Sequence, residues 1–297
     1  MNAVEVKNVS KTYGSRKVVN AVSFSLGRQE ILGLIGPNGA GKTTCIRMIM
    51  DVIKPDSGEV FLFGEKFNNN LKNQIGYLPE ERGLYRQKSI LQSMVYFAGL
   101  KGIRSDIALQ QAEQWLVRVN LHTHKNKKVA ELSLGMGQLV QTLVTLLHNP
   151  GVIILDEPFN GLDPVNVQLV KDIILEQKNQ GKSIILSTHR MNDVEELCDR
   201  VFMINQGQNV LYGSLSEIKA GFRSRAVKLE YDGNLPEMKG MTVKTANNHR
   251  AEIVFESHLT HQQILEELVR QGVIINRFEI ATPSLNEIFI QLAGGRK

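Results

Sequence analysis

The run GPNGAGKT at residues 36–43 has the composition and spacing of a loop that binds phosphate groups. It follows an apolar segment of strand length and precedes a segment with helical periodicity. Glycines let backbone N–H groups surround an anion there, and the start of a helix adds a partial positive charge. Lys42 would reach the β- and γ-phosphate oxygens, and Thr43 would offer its hydroxyl to Mg²⁺. The candidate nucleotide-binding residues of this region are Gly36, Asn38, Gly39, Gly41, Lys42, Thr43 and Thr44.

Two adjacent carboxylates, Asp156 and Glu157, follow the apolar segment 152–155. Ligands of α/β proteins bind where the carboxyl ends of parallel strands meet. With a phosphate loop in the same chain, Asp156 is predicted to organise Mg²⁺, and Glu157 to orient and polarise the water that attacks the γ-phosphate. The pair alone is equally consistent with the cap of a helix.

Apolar periodicity predicts an α/β core that would position these residues. Alternating residues near the N-terminus indicate antiparallel strands. Further on, buried strands at 151–155 and 183–187 flank a predicted helix at 165–180, an order that indicates a parallel sheet. Residues 89–121 have helical spacing, and we place a helical insertion at about 89–140.

The last part of the chain is predicted to be a separate small α+β domain at residues 221–297, after a first domain at 1–220. Strands are expected at 226–231, 242–245, 251–255 and 273–280, with an amphipathic helix at 262–270 and a short helix at the end.

Five motifs in order resemble the ATP-binding subunits of ATP-binding cassette (ABC) transporters, over about residues 2–220. After the phosphate loop come LSLGMGQ at 132–138, similar to the signature LSGGQ, then ILDEP at 154–158, NGLDP at 160–164 as the D-loop, and STH at 187–189. The resemblance implies a P-loop NTPase of ABC type, with a mixed sheet core, an antiparallel β subdomain and a helical subdomain. It implies that ATP and Mg²⁺ are the cofactors and that ATP hydrolysis is coupled to transport.

The resemblance also assigns residues outside the phosphate loop. Tyr13 would stack on adenine. Ser133 and Gly135 would contact the γ-phosphate of the nucleotide held by the other protomer, and Asp163 would lie at the dimer seam. His189 would act with the catalytic carboxylate and Lys42, bridging that carboxylate to the γ-phosphate as a neutral donor. Hydrolysis would then depend on a homodimer or heterodimer of ATPase subunits.

Two places depart from the family pattern. Glu80 stands where the Q-loop glutamine is expected, and Leu134 and Met136 stand where glycine and glutamine are usual. A carboxylate at Glu80 would still ligate Mg²⁺ or water while adding charge near the phosphates, so we expect altered metal dependence with activity retained. In the signature, the serine and the second glycine would suffice.

Bulk composition is that of a folded protein without a membrane span. The 297 residues carry a formal charge of +5, from 35 Lys and Arg against 30 Asp and Glu. No uninterrupted apolar stretch approaches the ~18–20 residues that cross a bilayer, and the N-terminus is too polar for a signal peptide. Cys45 and Cys198 lack metal-ligand spacing and are expected to be reduced, partly buried thiols.

We therefore expect a cytoplasmic protein, peripheral on the inner face of the cell membrane through a separate transmembrane permease subunit. The closing segment 282–289 is similar to exporter-type subunits, although the last domain could instead buttress or dimerise the ATPase. A cassette ATPase that acts on nucleic acid or ribosomes is an alternative that the basicity permits, and a low-turnover nucleotide-gated regulator is another. A single phosphate loop and the lack of long coiled coils oppose the first, so no nucleic acid partner is expected. The transported substance stays open.

Overall fold

The structure is a computed structural model, which describes residues 1–81, 83–222, 226–236, 240–247, 249–256, 259–281 and 283–294. The chain divides into two compact units, Met1–Ser214 and Leu215–Lys297. The boundary predicted after residue 220 lies inside the helix Leu215–Gly221, which opens the second unit. Thr282, the first residue of the segment that resembles exporter subunits, lies outside the described residues.

The first unit alternates strands and helices along most of its length. Its strands are β1 (Val4–Tyr13), β2 (Arg16–Leu26), β3 (Ile31–Ile35), β4 (Ser57–Leu62), β5 (Glu65–Lys66), β6 (Ile75–Leu78), β7 (Val152–Asp156), β8 (Ser183–Ser187), β9 (Arg200–Asn205) and β10 (Gln208–Ser214). Its α-helices are α1 (Lys42–Ile49), α2 (Ile90–Leu100), α3 (Ser105–Arg118), α4 (Leu134–Leu146), α5 (Pro164–Asn179) and α6 (Met191–Leu197).

A mixed sheet of six strands, counted over the described residues, has the order β10-β9-β3-β8-β7-β6. β6, β7, β8, β3 and β9 run parallel, and β10 pairs with β9 in the antiparallel sense. Every residue of β3, β7 and β8 is buried, which is why these strands have continuous apolar sequences. The predicted parallel arrangement of β7, α5 and β8 is confirmed; β6, β9 and β10 are absent from the prediction.

The N-terminal strands form a second, antiparallel sheet with the order β2-β1-β4-β5 in the described part of the unit. Side chains of β1 and β2 share one core with α1 and with the large sheet. Phe24 on β2 lies 4.6 Å from Phe202 on β9, measured between ring centroids. Burial of α1 between these layers fixes the direction in which its N-terminus points, and that N-terminus is the end of the phosphate loop.

The helical region contains α2, α3 and α4. A capping box of Ser89 and Gln92 begins α2, and Ser133 caps α4. The predicted end of this region at about 140 is too early, because α4 continues to Leu146. The helix continues along an apolar run whose Leu139, Val140 and Leu143 are buried. No helix in the described ranges is both long and apolar enough to span a bilayer.

The second unit is a small α+β structure. It consists of α7 (Leu215–Gly221), β11 (Ala226–Asp232), β12 (Met241–Asn247), β13 (Arg250–Phe255), α8 (His261–Arg270), β14 (Ile274–Ile280) and α9 (Leu285–Gly294). Its described strands form an antiparallel sheet with the order β12-β13-β11-β14. Ile264 and Leu268 of α8 pack with Val227 and Leu229 of β11 in a separate core. The mixed sheet of the first unit and the small α+β structure of the second agree with the predicted α/β fold class.

Candidate functional site

The phosphate loop joins β3 to α1 with a backbone that only glycine tolerates at two points. Gly36 has φ of 153°, and a Cβ placed on it would lie 2.1 Å from the Ile204 carbonyl oxygen. Gly41 has φ of 115°, and its Cβ would lie 2.9 Å from the Val18 carbonyl oxygen. Because both neighbours are backbone atoms of the strands β2 and β9, they cannot move aside, and any side chain here would displace the loop.

The Lys42 side chain lies inside this loop. The residue is 7% exposed, and its Nζ donates to the carbonyl oxygens of Gly36, at 2.8 Å, and Pro37, at 3.3 Å. These bonds fold the ammonium group over the start of the loop. A phosphate bound in the loop would therefore meet a nearby cation that exchanges these carbonyl partners for phosphate oxygens.

A cleft of about 350 Å³ gathers most of the predicted site residues. Its lining consists of Val18, Asn38, Gly39, Gly41, Lys42, Thr43, Thr44, Glu80, Asp156 and Glu157. Strand register explains the gathering: Leu78 at the end of β6 pairs with Leu155 of β7, and Asp156 pairs with Ser187 at the end of β8. The segments after these parallel strands therefore open at one edge of the sheet, beside the phosphate loop.

Asp156 is the most buried of the three carboxylates that line this cleft. It is 1% exposed, and its Oδ2 accepts from the Thr43 hydroxyl at 3.4 Å. Burial raises the pKa of this carboxyl, and the charges of Glu80 and Glu157 raise it further, while Lys42 opposes them. Hydroxyl and carboxylate oxygens are the ligands that Mg²⁺ prefers, so this donor set fits that ion.

Glu157 is held by the segment that follows β8. It is buried, with φ of 52°, and its Oε1 accepts from the His189 backbone N–H at 3.0 Å and from Nδ1 of the same residue at 2.8 Å. The Thr188 hydroxyl donates to Oε2 at 3.2 Å. A neutral imidazole has one N–H group, and here Nδ1 uses it on the carboxylate. In this arrangement a neutral ring has no N–H left for a phosphate, so the predicted role of His189 as a neutral donor requires the ring to turn, and that role stays a prediction.

The signature residues lie away from this cleft. Ser133 lines a different cavity, of about 400 Å³, and its Oγ accepts from the Met136 N–H at 3.2 Å. A Cβ on Gly135 would lie 3.2 Å from the Gly161 carbonyl oxygen, and the Leu134 side chain packs directly over Gly161. The unusual Leu134 therefore contacts the D-loop rather than the phosphate-binding cleft.

Asp163 and Tyr13 also lie outside the cleft lining. Asp163 caps α5, and its Oδ1 accepts from the N–H groups of Asn166 and Val165, each at 3.0 Å. The Asn166 N–H lowers the pKa of this carboxyl, with a second contribution from the Asn166 side chain. Tyr13 ends β1, is 48% exposed and lies 6.0 Å from the Lys11 ammonium, measured to the ring centroid.

Sequence reasoning did not include three polar residues that hold the site together. Gln141 donates from Nε2 to the carbonyl oxygens of Pro79, at 3.2 Å, and Glu81, at 3.1 Å, and Gln138 donates to the Pro158 carbonyl oxygen at 3.0 Å. Both tie α4 to the segments that follow β6 and β7. Gln138 ends the LSLGMGQ run and could have been recognised there, whereas nothing in the helix sequence distinguishes Gln141 from a solvent-facing amide. The third, Thr188, lies within the STH motif and could have been recognised there.

Comparisons with known proteins agree with this geometry. A family model described as ABC transporter matches residues 19–160, and one described as the C-terminal domain of DrrA1-3-like ATP-binding proteins matches 213–293. The Bacillus subtilis protein named uncharacterized ABC transporter ATP-binding protein YhaQ is 40% identical over 97% of this chain and 98% of its own. The bacitracin transport ATP-binding protein BcrA of Enterococcus faecalis is 30% identical over 98% and 96%.

A solved structure described as an ATP binding subunit of an ABC transporter superposes with a TM-score of 0.69 at 30% identity, covering 74% of this chain and 93% of the other. Since the identity to YhaQ extends along nearly the whole of both chains, this protein belongs to the ATP-binding proteins of ABC transporters, the ATPases that drive this class of transporter.

Proposed function

We propose that two ATPase subunits of this kind close over Mg-ATP, hydrolyse it at a shared site, and transmit the closure to a separate transmembrane permease. The observation that carries the proposal is the cleft that combines the phosphate loop with Asp156, Glu157 and Glu80. It supplies positive groups for the phosphates on one side and carboxylates for metal and water on the other.

Nucleotide binding would use the loop first. Backbone N–H groups of 36–43 and the N-terminus of α1 would receive the phosphates, with Lys42 turning from its carbonyl partners toward the β- and γ-oxygens. The exposed ring of Tyr13 would supply the stacking surface for adenine.

Mg²⁺ would be held by Thr43 and Asp156, together with phosphate oxygens and with water or the carboxylate of Glu80. The ion would supply charge neutralisation between the β- and γ-phosphates. Burial raises the pKa of the Asp156 carboxyl, with a smaller contribution from the charges of Glu80 and Glu157; a divalent cation bound there would offset both effects and favour the carboxylate.

Glu157 would orient the attacking water. Its Oε1 already has two donors from His189 and its Oε2 has one from Thr188, so the carboxylate is fixed before substrate arrives. The His189 side chain is 58% exposed, and a γ-phosphate would meet its Nε2 on the side of the ring away from Glu157. Because the one N–H of a neutral ring serves Glu157 in this arrangement, donation to the phosphate would require the ring to turn and release Glu157.

A second subunit would complete the site. Ser133 and Gly135 line no part of the cleft that their own chain forms, which is expected of residues that act on the nucleotide of a partner. Asp163 would then lie at the seam between the subunits. Whether the partner is a second copy or a paralogue decides between a homodimer and a heterodimer.

We further propose export as the direction of transport, with the subunit on the cytoplasmic face of the membrane. The names of relatives support this direction: bacitracin transport for BcrA, lipopolysaccharide export for LptB of Haemophilus influenzae, and linearmycin resistance for LnrL of Bacillus subtilis. The match of residues 213–293 to a DrrA1-3-like C-terminal domain agrees with it. No observation favours the nucleic-acid alternative.

The test of catalysis is E157Q. Its control is E176Q, at a partly exposed position of α5 that pairs with Arg118 and is not part of the cleft lining. Wild type and E176Q should hydrolyse ATP in Mg²⁺, whereas E157Q should lose on the order of 10²-fold or more of kcat, as expected when a general base is removed. E157Q should also accumulate ATP-dependent dimers in size-exclusion chromatography. Turnover by E157Q equal to that of wild type would contradict the proposal.

The shared site is tested by mixing two inactive variants, K42A and S133A. In a mixed dimer one site carries both changes and the other carries neither. Each mixed dimer should therefore recover up to about half of the activity of a wild-type dimer. Failure of any recovery in a mixture that forms dimers would show that loop and signature do not act across subunits. Co-purification from native membranes would identify the permease and any paralogous ATPase.

A further inference from the structure

Among the described residues, two side chains form hydrogen bonds with the Glu157 carboxylate, those of His189 and Thr188. The Thr188 Oγ1 donates to Glu157 Oε2 at 3.2 Å and accepts from the Arg190 N–H at 3.1 Å. Thr188 is 0% exposed. A hydroxyl has one proton, so this proton is committed to the carboxylate while an oxygen lone pair serves the backbone.

The conformation of Glu157 requires such support. With φ of 52° it occupies the left-handed region, which costs on the order of 1 kcal/mol or more for a residue other than glycine. Its carbonyl and amide are occupied as well: the N–H donates to Ser187 O at 2.8 Å and the carbonyl accepts from the Asn160 N–H at 3.2 Å. Backbone bonds thus hold the main chain, and the side chain is aimed by His189 and Thr188.

The segment that carries Thr188 is itself anchored. Asp193, in the first turn of α6, is 2% exposed and forms ion pairs with Lys171 at 2.8 Å and with Arg190 at 2.9 Å. Lys171 belongs to α5 and is also buried. The position of the Thr188 hydroxyl is therefore set by two helices, and it does not depend on the exposed ring of His189.

We propose that Thr188 is a positioning residue that holds Oε2 of Glu157 in place while Oε1 faces the reacting water, an inference that rests on the proposed role of Glu157. When His189 turns toward phosphate and releases its Nδ1 contact, the Thr188 bond would keep the carboxylate from rotating. The hydroxyl should then affect the chemical step and leave nucleotide binding unchanged.

The test is T188V, which has the same shape without the hydroxyl, against T188S, which retains it. We expect T188V to lower kcat about tenfold, as for loss of a hydrogen bond to a charged group, with KM for ATP within about twofold of wild type. T188S should keep most of the activity. Both should bind a fluorescent ATP analogue as wild type does. Thermal unfolding of T188V, and of T188A as a second variant that lacks the hydroxyl, shows whether the first unit remains folded.

A double variant separates positioning from a structural effect. If Thr188 acts through Glu157, then T188V should lower the activity of E157Q no further, because the carboxylate it orients is already gone. Wild-type kcat in T188V or T188A, or an equal fold-loss when T188V is added to E157Q, would overturn this inference. Neither result would affect the proposed ATPase activity, which fails only if E157Q and wild type turn over alike.

Discussion

A buried ion pair between α5 and α6 offers the most quantitative test of how this site is held. Lys171 Nζ lies 2.8 Å from Asp193 Oδ1, and the two residues are 7% and 2% exposed. Burial lowers the pKa of Lys171, but its bonds to Asp193 and Glu196 outweigh that effect and raise the pKa overall. The pair therefore favours the charged lysine, and the substitution K171M would leave Asp193 buried with Arg190 as its remaining cation.

The expected loss of stability in K171M follows from the Asp193 carboxylate that stays buried. Removing one partner of a buried ion pair costs about 3–5 kcal/mol, because the other charge stays out of water. As Arg190 still lies 2.9 Å from Asp193, we expect the lower end, about 3 kcal/mol. For a unit of this size that corresponds to a fall in Tm of roughly 6–12 °C. The loss should appear in the transition of the first unit.

The assay is differential scanning calorimetry of wild type, K171M and K178M. Lys178 lies on the same helix and pairs with Asp199 at 2.5 Å, but both side chains are more exposed, so K178M should cost no more than ~1 kcal/mol. A double variant, K171M with D193L, should recover part of the loss, since it leaves no unpaired buried carboxylate. Equal effects of K171M and K178M, or a double variant less stable than K171M, would refute this reasoning.

Three further outcomes are expected. Y13A should weaken ATP binding about tenfold in equilibrium titration, since stacking on a base is worth ~1–3 kcal/mol; unchanged affinity would remove Tyr13 from the adenine site. E80Q should remain active but need a severalfold higher Mg²⁺ concentration for half-maximal ATPase activity, and an identical Mg²⁺ dependence would exclude Glu80 as a ligand. Burial lowers the pKa of His148 to about 4, so between pH 6.5 and 4 the unfolded chain binds more protons than the folded one. The free energy of unfolding should therefore decrease as the pH is lowered through that window, by at most ~1.4 kcal/mol per pH unit. H148Q should lose less Tm than wild type between pH 6.5 and 4.5.

The parts of the site that were predictable lie in short contiguous runs. The phosphate loop needs glycines, Lys42 and Thr43 within one strand, loop and helix. Asp156 ends a strand that is buried throughout, and Glu157 directly follows it. Fold class was predictable for a similar reason, because continuous apolar strands alternating with helices indicate a parallel sheet. The small α+β unit was predictable from local periodicity, with element ends that differ by a few residues.

Tertiary structure alone decided which distant residues meet. Glu80 reaches the cleft because β6, a strand of four residues that was not predicted, pairs in register beside β7. Thr188 reaches Glu157 because β8 ends level with β7, and Lys171 reaches Asp193 because α5 and α6 pack together. Periodicity indicates which face of a segment is buried, but strand order, register and helix packing depend on contacts between segments far apart in the chain. Those contacts place the side chains that hold the Glu157 carboxylate.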